Sequence, residues 1–104
     1  MDGLEFISKA LLLTCHDYNN RVVRLATEPE YTLDEFYCVW MSKTLQNNKG
    51  LFASSRSDRL YCEVTYNGDK DEFYVDIYRK LSNTATSGQM ISTKLEAAKE
   101  QEGI

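Results

Sequence analysis

The chain has 104 residues, a net charge of −4 at pH 7 and a pI near 4.9. A chain of this length folds as one domain and can bury a core without metal or disulfide staples. The acidic balance disfavours a nucleic-acid partner, because contact with phosphates needs a basic surface. Hydrophobic content of 42% and charged content of 27% are ordinary for a globular protein.

The N-terminal residues predict an α-helix. Asp2 followed by Glu5 resembles a capping box in which Asp replaces the usual Ser or Thr. Apolar residues recur at helical spacing at Leu4, Ile7, Leu11 and Tyr18, with Ala10, Thr14 and Cys15 along the edges and Phe6 and Leu13 widening the stripe. We expect the helix to end near residues 19–20 or to continue to about Leu25, because Pro29 forbids anything longer.

Two strands are predicted between residues 30 and 59. Residues 32–35, TLDE, have capping-box spacing and predict one short helical turn. Residues 36–41, FYCVWM, are apolar on both alternating faces, which favours a strand that is covered on both sides or central in a sheet. A turn cluster at 46–50 leads into an antiparallel strand at 51–55, and a polar connection follows.

Residues 60–80 give the clearest signal, a β-hairpin. Two runs rich in β-branched and aromatic residues flank Asn67 and Gly68, which tolerate the positive φ of a tight reversal. A two-residue turn would place like charges opposite each other, so we predict a four-residue loop at 67–70. This loop pairs Val64 with Phe73, Cys62 with Val75, and Leu60 with Ile77.

The second face of that hairpin carries the predicted partner-binding residues, Tyr61, Glu63, Tyr74, Asp76 and Tyr78. Tyrosines and acids together on an open sheet face are typical of a protein-recognition patch, because tyrosine combines a large contact area with a polar tip. The competing interpretation is that a helix covers part of this face, or that the tyrosines only stabilise the sheet through cross-strand pairs.

The composition changes after residue 80. Residues 82–88 form a polar linker, and residues 92–102 are rich in helix formers, with a cap at Ser92 and a thin apolar stripe of Ile91, Leu95 and Ala98. The sequence therefore predicts an α+β fold: an N-terminal helix packed on a four-stranded antiparallel β-meander, with a short C-terminal helix. Residues 1–80 are expected to form a single α+β domain, and 81–104 a polar linker with a C-terminal helix or tail.

No residue cluster identifies a reaction. Cys15, Cys38 and Cys62 are widely spaced and predict reduced, buried thiols. His16 follows Cys15, but adjacent helical side chains point about 100° apart, so the two do not form a nucleophile pair. Residues 67–72 resemble only the start of a calcium loop and lack the closing Glu of an EF-hand. We therefore expect no enzyme activity, no metal and no cofactor.

Basic residues near the hairpin, Arg56, Arg59, Arg79 and Lys80, could join Tyr61 and Tyr78 in a platform for single-stranded nucleic acid. The interleaved acids and the net charge oppose that use. The N-terminus opens with acidic residues rather than a basic region, and the apolar run at 11–13 is too short to span a bilayer. We expect a cytoplasmic protein with no membrane contact.

Three sequence blocks carry a resemblance to a known family: VWMSKTLQNNK at 39–49, YCEVTYNGDK at 61–70 and YVDIYRK at 74–80. They resemble the VVWxxKTLQNxK, YYEVTYNGDK and YxDxYKK blocks of small uncharacterised proteins from phages and prophages of Gram-positive bacteria. Cys62 stands where that family has a second tyrosine. The resemblance covers roughly residues 1–80 and leaves the tail unmatched. It implies a place in the host-cell cytoplasm, and because the family has no assigned reaction it implies no catalytic residues.

Small size, acidity and this context together favour a phage accessory protein that binds a host protein without catalysis. Its concrete version is an inhibitor of a bacterial defence system, as anti-CRISPR proteins are. The alternative is a homo-oligomeric structural or accessory module, such as a homodimer, that associates through an edge strand or the tyrosine face. A small enzyme or nucleotide binder comes third, and it requires a pocket that holds His16 with a thiol.

Overall fold

The computed structural model describes residues 1–23 and 29–102. In chain order the elements are α1 (Gly3–Arg21), a 3-10 helix (Leu33–Glu35), β1 (Phe36–Thr44), β2 (Asn47–Ser54), β3 (Leu60–Asn67), β4 (Glu72–Arg79) and α2 (Gly88–Glu102). The strands form one antiparallel sheet in the order β1-β2-β3-β4. The predicted α+β fold, with a helix on a four-stranded meander and a short C-terminal helix, is confirmed.

Helix α1 begins where its cap predicts. The Asp2 carboxylate accepts a hydrogen bond from the Glu5 backbone N–H at 2.8 Å, which satisfies one of the free donors of the first turn. The helix ends at Arg21, close to the predicted end at residues 19–20; Leu25, the longer alternative, lies outside the described residues.

The buried row of α1 differs from the predicted stripe. The row that faces the sheet consists of Phe6, Ala10, Thr14 and Tyr18, all fully buried. Leu4, which the stripe included, is 81% exposed. The physical reason is the size of the central side chains, since Ala10 and Thr14 let the helix approach the sheet more closely than leucines would. The Thr14 hydroxyl donates to the Ala10 carbonyl at 2.8 Å, so its burial leaves no orphaned donor.

The core lies between α1 and one face of the sheet, which we call the covered face. Its buried strand residues are Phe36, Phe52, Cys62, Val64 and Tyr66. Aromatic contacts dominate both ends: Phe6 lies 6.2 Å from Phe52 between ring centroids, and Tyr18 meets Phe36 edge to face at 4.9 Å. The expectation that the aliphatic side of the hairpin faces the helix is therefore confirmed.

Strand β1 is not central and not covered on both sides, so that prediction is wrong. It is an edge strand, and Tyr37, Val39 and Trp40 are about half exposed. A bulge between Cys38 and Trp40 shifts the pairing with β2 and changes which side chains point away from α1. A run that is apolar on both faces suggested two covering layers, but only α1 packs on this sheet among the described elements.

The hairpin register is shifted by two residues from the prediction. Val64 pairs with Val75 and Cys62 with Ile77, whereas the predicted loop placed Phe73 opposite Val64. The loop is again four residues long but occupies 68–71, because Asn67 extends β3 and its side-chain oxygen accepts from the Asp69 and Lys70 N–H groups. A shift of two keeps every side chain on its predicted face.

Two other boundaries also move. The turn between β1 and β2 is the pair Leu45–Gln46, with Leu45 at φ 55°, and not the cluster at 46–50, whose residues from Asn47 onward belong to β2. Helix α2 begins at Gly88, and the Ser87 hydroxyl accepts from the Met90 N–H at 3.2 Å, so the cap is not at Ser92. Helix propensity predicted that a helix forms here. Its first residue is decided by the side chain that accepts from a free backbone N–H of the first turn, which is Ser87.

Candidate functional site: the open face of the sheet

The side of the sheet that points away from α1 carries the candidate site. We call it the open face and define it by its outward side chains: Tyr37, Val39, Trp40, Leu51, Ala53, Tyr61, Glu63, Tyr74, Asp76 and Tyr78. The pairing of adjacent strands makes these residues contiguous, since Tyr37 pairs with Ala53 and Trp40 pairs with Leu51. Contiguity matters because scattered apolar side chains are normal on a surface and a continuous patch is not.

All five predicted partner-binding residues lie on this face. Tyr61 pairs with Tyr78, and the two rings stack at 5.1 Å with an interplanar angle of 17°. Glu63 pairs with Asp76, and Tyr74 pairs with Thr65 one step further along the hairpin. Neither helix buries them, because Tyr74 and Tyr78 remain 43% and 41% exposed. Their role in binding stays a prediction.

The open face also contains aromatic residues that sequence reasoning missed. Tyr37, Val39 and Trp40 stand on β1, which was predicted to be covered on both sides. The signal that could have found them is the number of covering elements. One 19-residue helix covers one side of a four-stranded sheet, so the other side needs a second layer or stays in contact with solvent. The bulge that turns Trp40 outward has no comparable signal in the sequence.

The β3–β4 half of the open face is acidic. Glu63 and Asp76 stand directly opposite each other, an arrangement that costs stability because like charges repel. Lys49 offsets one of them, with its Nζ 3.3 Å from a Glu63 carboxylate oxygen. The two carboxylates also affect a neighbouring tyrosine. The negative charge of Asp76, with smaller contributions from burial and from Glu63, raises the pKa of Tyr78. The Tyr74 hydroxyl donates a hydrogen bond to the Glu72 carboxylate, and that bond raises the pKa of Tyr74.

A cavity of about 450 Å³ opens at the other end of the same face, beside the β2–β3 connection. Tyr37, Val39, Leu51 and Tyr61 form its apolar side, and Arg56, Arg59 and Lys80 form its basic rim. A smaller cavity of about 360 Å³ lies beside Trp40, Lys49 and Thr65. The open face thus offers two concave sites that continue the exposed aromatic surface.

One of the three basic side chains at the larger cavity, Arg56, is already ion-paired. The Arg56 guanidinium binds both carboxylate oxygens of Glu35, donates to the carbonyls of Pro29 and Glu30, and lies 3.9 Å from the centroid of the Tyr31 ring. This pairing lowers the pKa of Glu35. The residues predicted as a basic-aromatic platform are divided, since Arg79 and Tyr78 line a different cavity from Arg56, Arg59 and Lys80.

A hydrogen-bond network fixes the loop that frames this cavity. Asp58 accepts from the Tyr31 hydroxyl at 2.8 Å and from the Ser54 hydroxyl at 2.6 Å. Burial, together with the bond to Asp58, raises the pKa of Tyr31 to about 12. Arg59 adopts a positive φ of 61°, and the network holds that turn in place. These hydrogen bonds therefore fix the geometry of this edge of the open face.

The candidate nucleophiles lie elsewhere and are poorly suited to catalysis. Burial raises the pKa of the Cys62 thiol to about 11, and it also raises the pKa of Cys15 and of Cys38. A thiol with a raised pKa is a weak nucleophile at neutral pH. His16 Nε2 lies 2.9 Å from the Asn20 amide, whereas Cys15 contacts the Tyr31 carbonyl. Only Cys62 is fully buried, so the prediction of three buried thiols is correct for one of them.

Neither a cluster of metal ligands nor a membrane-spanning helix is found among the described residues. In the part of the chain that the structure describes, no three His, Cys, Asp or Glu side chains gather as metal ligands. Neither described helix combines the length and the apolar character that crossing a membrane requires.

Comparison with known proteins places the chain in a family and no further. Residues 7–88 match the model of a family of unknown function, DUF6275, and the chain belongs to that family. The match spans α1 from its second turn, the whole sheet and the start of α2, so it includes every residue of the open face. No curated protein and no solved structure matches the chain.

Proposed function

We propose that this protein acts by binding another protein, without catalysing a reaction, and that the open face is its contact surface. The observation that carries the proposal is the contiguous exposure of large apolar and aromatic side chains on one side of the sheet: Tyr37, Val39, Trp40, Tyr74 and Tyr78 are 41–51% exposed. Monomers rarely leave such a surface without a partner, and Tyr and Trp are enriched at the energetic centres of interfaces.

The chemistry of the face specifies the kind of partner. An apolar segment flanked by lysine or arginine side chains complements the aromatic rings and the Glu63–Asp76 pair. A nucleic acid is a poorer match, because Glu35 already neutralises Arg56 and the acidic half would repel phosphates. We propose a host-cell protein as the partner, within the phage context that the sequence resemblance implies. Inhibition of a bacterial defence system is the concrete version of this function.

A second candidate function is a homo-oligomeric accessory module. One observation favours it specifically: the same chain carries the open face and a helix, α2, whose side chains are all exposed over its described length. A chain whose described residues leave two apolar surfaces unpartnered has the means to associate with its own copies.

The host-protein proposal is tested by capture with matched variants. Purified, tagged protein is incubated with lysate of a Gram-positive host, and captured proteins are quantified by mass spectrometry for the wild type, Trp40→Ala, Tyr74→Ala and Leu12→Ala. Leu12 is the control, because it is an apolar residue of α1 that is 62% exposed away from the open face. We expect one host protein whose recovery falls at least tenfold with either face variant, since interface aromatics carry about 2 kcal/mol or more each.

Recovery that is equal for all four proteins would contradict the assignment of the open face, and a capture without any enriched host protein would contradict the partner class. If the captured protein belongs to a defence system, its activity is then assayed with the wild type and with Trp40→Ala. Inhibition by the wild type alone is the expected result of the concrete version. If neither the wild type nor Trp40→Ala inhibits the captured protein, the inhibitory role is contradicted and only the binding function remains.

A further inference from the structure

Helix α2 has an apolar stripe with no partner among the residues that the structure describes. Every described residue from 81 to 102 is exposed, and Met90, Ile91 and Leu95 are 53%, 52% and 53% exposed. Ile91, Leu95 and Ala98 follow one another at i, i+4 and i+7, which places them in one row along the helix. Isolated helices of about 15 residues are marginally stable in water, so this helix needs a surface to pack on.

The charges on α2 complement the open face. At about 100° per residue, Lys94 and Lys99 flank the apolar row on its two sides, and Glu96 and Glu100 fall on the opposite side of the helix. A surface that receives residues 91–98 of this row therefore meets apolar side chains between two lysines, and Glu102 continues the same side of the helix one turn further. The β3–β4 half of the open face presents stacked tyrosines beside Glu63 and Asp76, of which Lys49 offsets only the first.

We propose that α2 of one copy packs on the open face of a second copy, and that two copies exchange their α2 helices reciprocally. Ile91, Leu95 and Ala98 would cover the Tyr61, Tyr74 and Tyr78 rings, with Lys94 and Lys99 beside the two carboxylates. This inference rests on the proposed function, because it names an occupant for the same surface. A host partner would then compete with α2 for the open face.

A second copy fits better than the chain's own sheet. Arg59 holds the start of the linker: its carbonyl accepts from the Lys80 N–H at 2.7 Å and its guanidinium donates to the Leu81 carbonyl at 3.2 Å. Beyond that point α2 packs against neither α1 nor a strand. The longest dimension of the molecule is 53 Å, whereas a strand of nine residues such as β1 spans about 30 Å. A projecting arm of this kind is the geometry of exchange between protomers, and reciprocal exchange closes a dimer with twofold symmetry.

The experiment measures the dimer dissociation constant of the full chain by sedimentation equilibrium. Leu95→Asp places a carboxylate in the apolar row, and Thr93→Asp places the same group on the opposite side of α2 as a matched control. We expect Leu95→Asp to raise the dissociation constant by at least about 100-fold, because each of the two contacts loses a buried leucine and gains an unpaired charge. Thr93→Asp should change it by less than about threefold. Asp76→Lys should also weaken the dimer, through repulsion with Lys94 and Lys99.

A mixing experiment distinguishes exchange from any other interface. The Leu95→Asp chain keeps an intact face, and the Asp76→Lys chain keeps an intact α2, so the mixture can form one complete contact. We expect a heterodimer that is tighter than either variant alone and weaker than the wild type. Dimers that survive Leu95→Asp, or variants that fail to complement each other, would overturn the inference.

A wild-type chain that remains monomeric at millimolar concentration would also overturn the inference. This holds as well if hydrogen exchange shows that the α2 amides are protected in that monomer, because α2 would then pack on its own sheet. None of these results depends on a host protein. The capture experiment with Trp40→Ala and Tyr74→Ala decides the proposed function separately, so the two can fail independently.

Discussion

The two faces of this sheet differ in burial and in their effect on stability, although the same four strands form both. On the covered face, Phe52 and Val64 are fully buried under α1, and the aromatic contacts are internal. On the open face, the neighbouring residue Leu51 stands beside Trp40, and like charges sit opposite each other at Glu63 and Asp76. The first arrangement stabilises the fold. The second costs stability locally, which is the pattern expected where a surface is kept for binding.

The largest difference in the free energy of unfolding should appear between substitutions at two adjacent residues of β2. Phe52→Ala removes a fully buried ring that contacts Phe6, and we expect it to lower the free energy of unfolding by about 3–5 kcal/mol. Leu51→Ala, one residue earlier and on the open face, should lower it by less than about 1 kcal/mol. Urea unfolding followed by circular dichroism measures both. Equal losses would mean that the two faces are buried alike.

A second substitution adds volume to the covered face. A Cβ at Gly50 would lie 2.8 Å from Phe52 Cε2 and 3.1 Å from Phe6 Cε2, distances that force the rings to move. We expect Gly50→Ala to destabilise the protein by about 1–3 kcal/mol, as overpacked cores do. Lys49→Ala, at the preceding residue, whose half-exposed side chain points away from α1, is the control and should change stability by about 0.5 kcal/mol or less. A neutral Gly50→Ala would show that α1 packs less closely than the structure indicates.

Sequence reasoning succeeded where one physical rule decided the outcome. The hairpin face was correct because alternation and burial agree from Leu60 to Ile77, whichever even register the loop selects. The register itself was wrong, because the Asn67 side chain closes the turn in a way that pairing preferences do not anticipate. The run at β1 misled, since apolar residues on both faces of a strand signal either two covering layers or a binding surface. Local sequence does not distinguish these cases.

The stability of the covered face should also depend on pH. Burial raises the pKa of Cys62 to about 11, above the value of about 8.5–9 for an exposed thiol. Because the folded-state pKa is the higher one, the stabilisation is complete below about pH 9 and is lost as pH rises towards 11. We expect the wild type to lose more stability over that window than Cys62→Ala. Cys38→Ala should retain most of the wild-type slope, and parallel profiles for wild type and Cys62→Ala would contradict the burial.

The smallest predicted change is a gain in stability, whereas the substitutions above lower it. Asp76→Asn removes one of two like charges on the open face, and we expect a gain in stability of up to about 0.5 kcal/mol. Asp69→Asn, in the exposed hairpin loop, is the matched control and should leave stability unchanged. The same Asp76→Asn protein should bind its partner or its second copy more weakly. A loss of stability would show instead that Asp76 supports the fold.

The fluorescence of Trp40 reports directly on whether the open face is exposed to solvent, because Trp40 is the only tryptophan of the chain and is 45% exposed. Acrylamide quenching of its fluorescence is measured on the Leu95→Asp protein at micromolar concentration, where exchange is suppressed. We expect a red-shifted emission and substantial quenching, intermediate between that of a buried indole and that of a free one. A blue-shifted emission with strong protection from acrylamide would mean that this side of the sheet is buried within the monomer, contrary to a fold with one covered and one open face.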